Sequence, residues 1–376
     1  MTEKPNPTRR SLVRAASLIP LAAAASSANS AITVGLIGAG GRGTFVTGLM
    51  AKHAGARVVA LCDLFDERIE AARQRLPAPD AKGYRDYRDL LATDVDAVVI
   101  ATPVHVHPEH FEAAVKAGKH VWFEKPVAAD VAGCKRIMRA ADSANPRQNI
   151  TVGFQRRYGQ VFRKAKAAAD AGAIGPIRMA HSRWLKGIAD IGRPSTPRPA
   201  TEEALVREWR WWRDTSGDSL VETFIHGVDV LNWFLGGRPL KAHGTGGRTV
   251  IRHGDTLDHV HVTYDYANDV QASVVGSLIT PPFYRSVQEE FFGADGVLET
   301  SQNHWAHHRG RNEVVREASP RDITIDAAEA FIERLRSGKP ENTGIEAANS
   351  TLTAILGQMA IDLRREVTWD EMMRSA

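Results

Sequence analysis

From position 32 onward the apolar residues gather in short runs, at 32–37, 57–62, 98–100 and 120–123, separated by stretches whose apolar positions recur with helical period. Runs of four to six residues rich in Val and Ile, with no polar alternation, read as strands buried on both faces. Strands separated by helix-length segments connect by crossovers and lie parallel. The series predicts a doubly wound layer, with helices to about position 54 and over 108–117, that ends near 150–152. After a helix over 160–171 the pattern changes. Runs at 177–184, 242–250, 259–266, 270–278 and 286–292 succeed one another with short turns such as Ala267-Asn268-Asp269, which is how antiparallel strands connect. A proline-rich loop (193–199), a helix over 226–235 and closing helices over 326–337 and 345–364 complete the chain. The expected fold class is α/β. A Rossmann dinucleotide-binding domain occupies 31–150, and an α+β domain with a large, mostly antiparallel sheet occupies 151–376, its last helices packing back on the first.

Residues 1–30 follow neither pattern. Arg9-Arg10, the apolar stretch 15–25 and the small residues up to Ala31 read as a twin-arginine export signal cut before Ala31, so the expected location is periplasmic or otherwise exported. The formal charge is +4, but Lys4, Arg9, Arg10 and Arg14 stand against Glu3 alone in this leader. Little basic excess remains for the rest of the chain, and no nucleic-acid partner is expected. Pro20 and the shortness of the run argue against a membrane span, which needs ~20 apolar residues. The mature protein is expected to be soluble. Cys62 and Cys134 sit in apolar elements as small buried thiols, with no disulfide between them.

Gly38-Ala39-Gly40-Gly41-Arg42-Gly43 fits G-x-G-x-x-G directly after the first strand and opening a helix, where backbone amides can approach a pyrophosphate. Asp63 ends the second strand ~20 residues later, placed for the adenosine ribose hydroxyls. An acid there repels a 2′-phosphate, which favours NAD over NADP.

Further segments carry a family likeness: Ala101-Thr102-Pro103 with His105 and His107, Glu124-Lys125-Pro126, Gly153-Phe154-Gln155-Arg156-Arg157-Tyr158, and the stretch from Glu222 to Trp233. Together they resemble the Gfo/Idh/MocA family of glucose-fructose oxidoreductase, inositol dehydrogenase and their relatives. The resemblance implies that Lys125 projects beside the nicotinamide, after a cis Lys125-Pro126 peptide, where a cation stabilises a forming alkoxide. It implies that His226 is the catalytic proton acceptor and donor, matching Asp-x-x-x-His-x-x-Asp except that Glu222 is longer by one methylene. Glu222 then partners the substrate or Lys125, and Asp229 either touches substrate or braces the helix. Arg42, Thr102, Pro103, His107 and Glu124 join the cofactor site, and Gln155, Arg156 and Trp184 the substrate site. An α-helix beginning early enough would set Glu222, His226, Asp229 and Trp233 on one face.

Trp209, Trp211 and Trp212 read equally as sugar-stacking platforms or as core. His304, His307 and His308 read as part of a loop, either solvated or at the substrate rim, and no metal site is expected. The likeness also implies a homo-oligomer built on the open face of the second sheet. These expectations converge on an NAD(P)-dependent oxidoreductase for a hydroxyl or carbonyl of a sugar or polyol, with a tightly retained cofactor because export separates it from the cytoplasmic pool. The alternative is a redox-neutral NAD-dependent glycosidase that oxidises its substrate transiently to eliminate a leaving group.

Overall fold

A computed structural model describes residues 31–375, so the twin-arginine segment lies outside the described residues. Strands β1 (Thr33–Ile37), β2 (Arg57–Cys62), β3 (Lys82–Tyr84), β4 (Ala97–Ile100), β5 (His120–Phe123) and β6 (Ile150–Val152) form a wholly parallel sheet ordered β3-β2-β1-β4-β5-β6. Helices α1 (Gly41–Ala54), α2 (Asp66–Arg75), α3 (Tyr87–Leu91), α4 (His107–Lys116) and α5 (Val131–Asp142) connect and cover it. All four residues of β4 are buried, which is why its sequence shows no polar alternation. The order of strands reverses between β1 and β4, and a crevice opens there beyond their carboxyl ends.

Helix α6 (Gln160–Asp170) leads into a second sheet of nine strands: β7 (Ile177–Lys186), β8 (Lys241–Gly247), β9 (His259–Asp265), β10 (Gln271–Ser277), β11 (Arg285–Gly293), β12 (Val297–Ser301), β13 (His304–Gly310), β14 (Glu313–Ala318) and β15 (Val367–Thr368). Their order is β14-β13-β12-β11-β7-β10-β9-β8-β15, antiparallel at every pairing except β10 with β7. Along β9 and β10 buried and accessible residues alternate strictly, as in a sheet with one face on a core. Helices α7 (Glu202–Glu208), α8 (Arg213–Ser216) and α9 (Ile225–Leu235) lie between β7 and β8 in sequence.

The chain then returns to the first sheet. In α10 (Ile323–Ser337), which packs on α1, Phe331 meets Trp122 of β5 edge-on at 5.8 Å. Helix α11 (Gly344–Leu363) is rich in small residues and buried on nearly all sides, between α5 and β8, before α12 (Trp369–Arg374) ends the described chain. The stretch expected to loop around His304 is instead strand β13, paired with β12 and β14. Its three histidines and the charged face of β14 hid the alternation on which strand recognition depends.

Candidate active site

Three residues separate the end of β1 from the start of α1. Gly38 turns the chain at φ +93°, and a Cβ there would lie 2.6 Å from the carbonyl oxygen of Ala101, so only glycine fits. At Gly43 a Cβ would come within 2.3 Å of the Gly38 carbonyl oxygen, and its absence lets α1 pack down on the turn. Gly40 and Gly41 face open space, and no side chain caps α1. The first amides of α1 are therefore free to meet an anion. The Asp63 carboxylate accepts hydrogen bonds from the amides of Ala39 (2.9 Å) and Phe65 (3.1 Å). Burial raises its pKa against those bonds and the Arg68 cation, and it retains acceptor capacity for hydroxyls. Asp63, Gly38, Thr102, Pro103 and Tyr87 border a cavity of about 390 Å³. An open glycine cradle, an uncapped helix and an acid beside a cavity are the parts a dinucleotide requires, and the residues present fit NAD.

The turn after β5 carries the cis Lys125-Pro126 peptide. Lys125 Nζ donates to the backbone carbonyl of Glu222 at 2.5 Å and lies 3.6 Å from the Glu222 carboxylate. Glu222 belongs to a π-helical turn, Leu220–Phe224, that runs into α9. Such a turn inserts a residue into the helical repeat and loosens the carbonyls that α-helical bonding would engage. Burial alone would raise the pKa of Glu222, but Lys125, Arg210 and the Thr223 hydroxyl hold it down at about 2. Four residues on, the His226 ring stacks on Trp184 (6.0 Å between centroids, 12° between planes) and meets Phe154 edge-on. Its Nδ1 is buried with no partner. Burial, then Lys125, Arg156 and Arg42, hold its pKa well below the ordinary imidazole value. The site thus brings together an imidazole that is neutral at neutral pH, the Glu222 carboxylate and the Lys125 side chain. That set can take a proton from a hydroxyl and stabilise the resulting oxyanion.

Other expected site residues take buried or supporting positions. Asp229 is fully buried, grips Arg157 through both carboxylate oxygens and accepts from the Ser350 hydroxyl, so it braces α9 against α11. The π-helical turn is one reason: it breaks the α-helical spacing that would have aligned Glu222 with Asp229 and Trp233. Arg156 is also fully buried, in an ion pair with Glu289, although its guanidinium lies over the Trp184 ring at 5.9 Å. Gln155 is buried with its Oε1 unpartnered. His107 sets its two ring nitrogens 2.8 Å from the carbonyls of Pro126 and Thr102, between the loop after β4 and the lysine turn, and the neutral ring donates to one of them. Burial pushes this imidazole down to about 3. Glu124 is buried and accepts from Arg42 Nε (3.0 Å) and Trp122 Nε1 (3.2 Å), so it acts by fixing Arg42 at the start of α1. Thr102 bonds His110 beside the cavity.

Trp211 and Trp212 pack around His253 in the core, which decides against their role as stacking platforms. His304 and His308 turn to Glu299 on the second sheet, and among the described residues no cluster of three metal-ligating side chains occurs. Two contributions escaped the sequence reading. Arg210, lost among the tryptophans around it, lies 3.5 Å from the Glu222 carboxylate. Glu202 and Val206 of α7 complete the wall of the Asp63 cavity.

Residues 32–154 match the family described as "Oxidoreductase family, NAD-binding Rossmann fold" and residues 162–299 the "GFO/IDH/MocA C-terminal domain". The inositol 2-dehydrogenase of Salmonella typhimurium is 33% identical over 183 residues, 48% of each protein, so the chain spans about half the length of such curated relatives. The inositol 2-dehydrogenase of Gluconacetobacter diazotrophicus is 31% identical over 264 residues, 65% of this chain and 72% of that protein. Among solved structures, a levoglucosan dehydrogenase in complex with NADH and levoglucosan superposes with a TM-score of 0.77 at 19% identity, covering 90% of this chain and 99% of that one. The myo-inositol 2-dehydrogenase of Lactobacillus plantarum gives 0.72 at 23% identity with the same coverage, and both likenesses concern the fold.

Proposed function

The chain belongs to the Gfo/Idh/MocA oxidoreductase family, and from that premise we propose that it interconverts a hydroxyl and a carbonyl on a sugar or polyol with NAD, holding the cofactor through the cycle. The observation that carries this reading is the convergence of Lys125, Glu222 and His226. NAD, when bound, supplies the hydride acceptor. In oxidation the neutral His226 ring takes the hydroxyl proton, Lys125 stabilises the oxyanion, and Glu222 keeps the Lys125 ammonium aimed at that position. In reduction His226 returns the proton to the new alcohol.

Retention is supported by α7, which brings Glu202 and Val206 to the adenosine cavity and sets the Arg207 guanidinium 3.5 Å from the centre of the Phe65 ring. The leader motif Arg9-Arg10 supports export by the twin-arginine route to the periplasm, which carries folded, loaded proteins. Among the described residues no helix is long and apolar enough to cross a membrane. The glycosidase reading is set aside, because no feature of the site favours it and the sequence relatives above are dehydrogenases.

The test is to denature the purified protein, identify the released nucleotide by mass spectrometry, and follow reduced-nicotinamide absorbance as a sugar panel is added. We expect NAD, reduced by one or more sugars. Lys125→Ala should lower kcat on the order of 10²–10³-fold, the usual cost of an oxyanion donor, while nucleotide still binds. Normal turnover in that variant, or no absorbance change with any sugar, would overturn the proposal.

A further inference from the structure

Two cations share a single carboxylate, and two more stand near one of them with none of their own. Lys125 and Arg210 both draw on Glu222, at 3.6 and 3.5 Å. Beside them Lys186 closes β7, and Arg285 opens β11 directly opposite it in register. Side chains two residues apart on a strand share a face, so Lys186 lies on the face that Trp184 presents to His226. Cross-strand partners share a face as well, which brings Arg285 to the same side. Among the described residues neither has a carboxylate in salt-bridge range, and Arg285 reaches only the side-chain oxygen of Gln302 at 3.3 Å. Like charges directly opposite on a sheet are destabilising. Partial burial, then Arg285 and Arg210, accordingly hold the Lys186 ammonium below the ordinary lysine range. In the segment that leads to Arg210 the other arginines are matched: Arg193 with Glu208, Arg198 with Asp214, and Arg207 with Glu67.

A neutral polyol would leave this surplus unanswered. We infer that the substrate carries an oxyanion, a carboxylate or a phosphate on the sugar, seated at Lys186 and Arg285 with Arg210 beside it, while the reacting hydroxyl lies at Lys125 and His226. Along β7, Lys186 lies two residues, ~6.6 Å, beyond the Trp184 on which His226 stacks, a step about the size of a pyranose ring with one substituent. The inference rests on the oxidoreductase reading above and narrows its substrate class.

The test uses the NAD-loaded protein and sugars paired by charge alone: glucose with glucuronate, galactose with galacturonate, and glucose with glucose 6-phosphate. In at least one pair the anionic member should exceed its neutral parent by about tenfold in kcat/KM, with the advantage shrinking as salt rises. Which pair responds tells carboxylate from phosphate. The double variant Lys186→Met, Arg285→Met should bring the ratio toward one; if it fails to fold, the salt dependence of the unaltered protein decides. Neutral parents that match or outrun their anionic partners in every pair, or a ratio untouched in the folded variant, would overturn the inference. Calorimetric titration of the same sugars into the NADH-loaded protein separates the two readings. Tighter binding of anionic sugars without turnover would leave this inference standing and sink the oxidoreductase reading; equal binding within each pair would sink the inference alone.

Discussion

His226 derives its chemistry from its surroundings more than from its type. The ring lies between Trp184 and Phe154, its Nδ1 has no partner, and burial together with the Lys125, Arg156 and Arg42 cations disfavours the imidazolium. A histidine held below the ordinary 6.5 stays neutral, and so competent as a base, at pH values where a free one would be protonated. The acid limb of kcat/KM for oxidation should therefore fall below pH 6.5. Removing a neighbouring cation relieves the imidazolium, so Lys125→Met should move the His226 midpoint upward, a shift that NMR of the ring protons reads directly. A midpoint unchanged in that variant would mean that Lys125 does not act on the ring. Lys125, Glu222 and His226 were legible as chemistry because each sits in a short motif. Asp229 was legible only as an acid in the same motif, because its partners are far off in the chain: Arg157 lies 72 positions before it and Ser350, on α11, 121 after it.

Strands β1, β2, β4 and β5 could be read directly because burial on both faces leaves uninterrupted apolar runs. Helix α7 could not, since its seven residues include only one that is buried, and its neighbours are a proline-rich loop and a run of tryptophans. Its place becomes clear only in space, where Arg207 lies over Phe65 and pairs with Glu67 at 2.6 Å, across the cavity mouth from the body of the first sheet. Arg207 and Glu67 are accessible to water, so each contact contributes modestly, but together they hold α7, whose Glu202 and Val206 wall the cavity, to the segment after β2. Arg207→Ala should accordingly speed dissociation of bound NADH by about fivefold, read as decay of its fluorescence after mixing with excess NAD. An unchanged dissociation rate would show that α7 forms a wall without acting as a clasp. The variant should leave the substrate pairs of the cleft unaffected, because Arg207 touches the second strand's loop and not Lys125 or His226.

Across the whole molecule, proton linkage joins the site to stability. Burial holds several histidines low, among them His107 at about 3, His110 at about 4, and His226 well below its ordinary value. In the unfolded chain each protonates near 6.5, so below that pH the unfolded state binds protons that the native state refuses. The stability these groups contribute is thus complete above about pH 6.5 and is lost as pH falls toward the folded values. Each unit of that descent costs roughly 1.4 kcal/mol per histidine, or on the order of 3 kcal/mol at pH 5.5 for His107 and His110 together, with His226 acting in the same direction. That is a large part of the 5–15 kcal/mol typical of a folded protein. Urea unfolding at pH 7.5 and 5.5 should show a clear fall in midpoint with little change in slope, because the same surface is exposed at both. His107→Gln should flatten the dependence by one histidine's share if the amide can bond the carbonyls of Pro126 and Thr102 in its place. A midpoint indifferent to pH over this range would mean that these imidazoles protonate within the native fold, and with it the neutral state of His226 on which the proposed proton transfer depends would be lost.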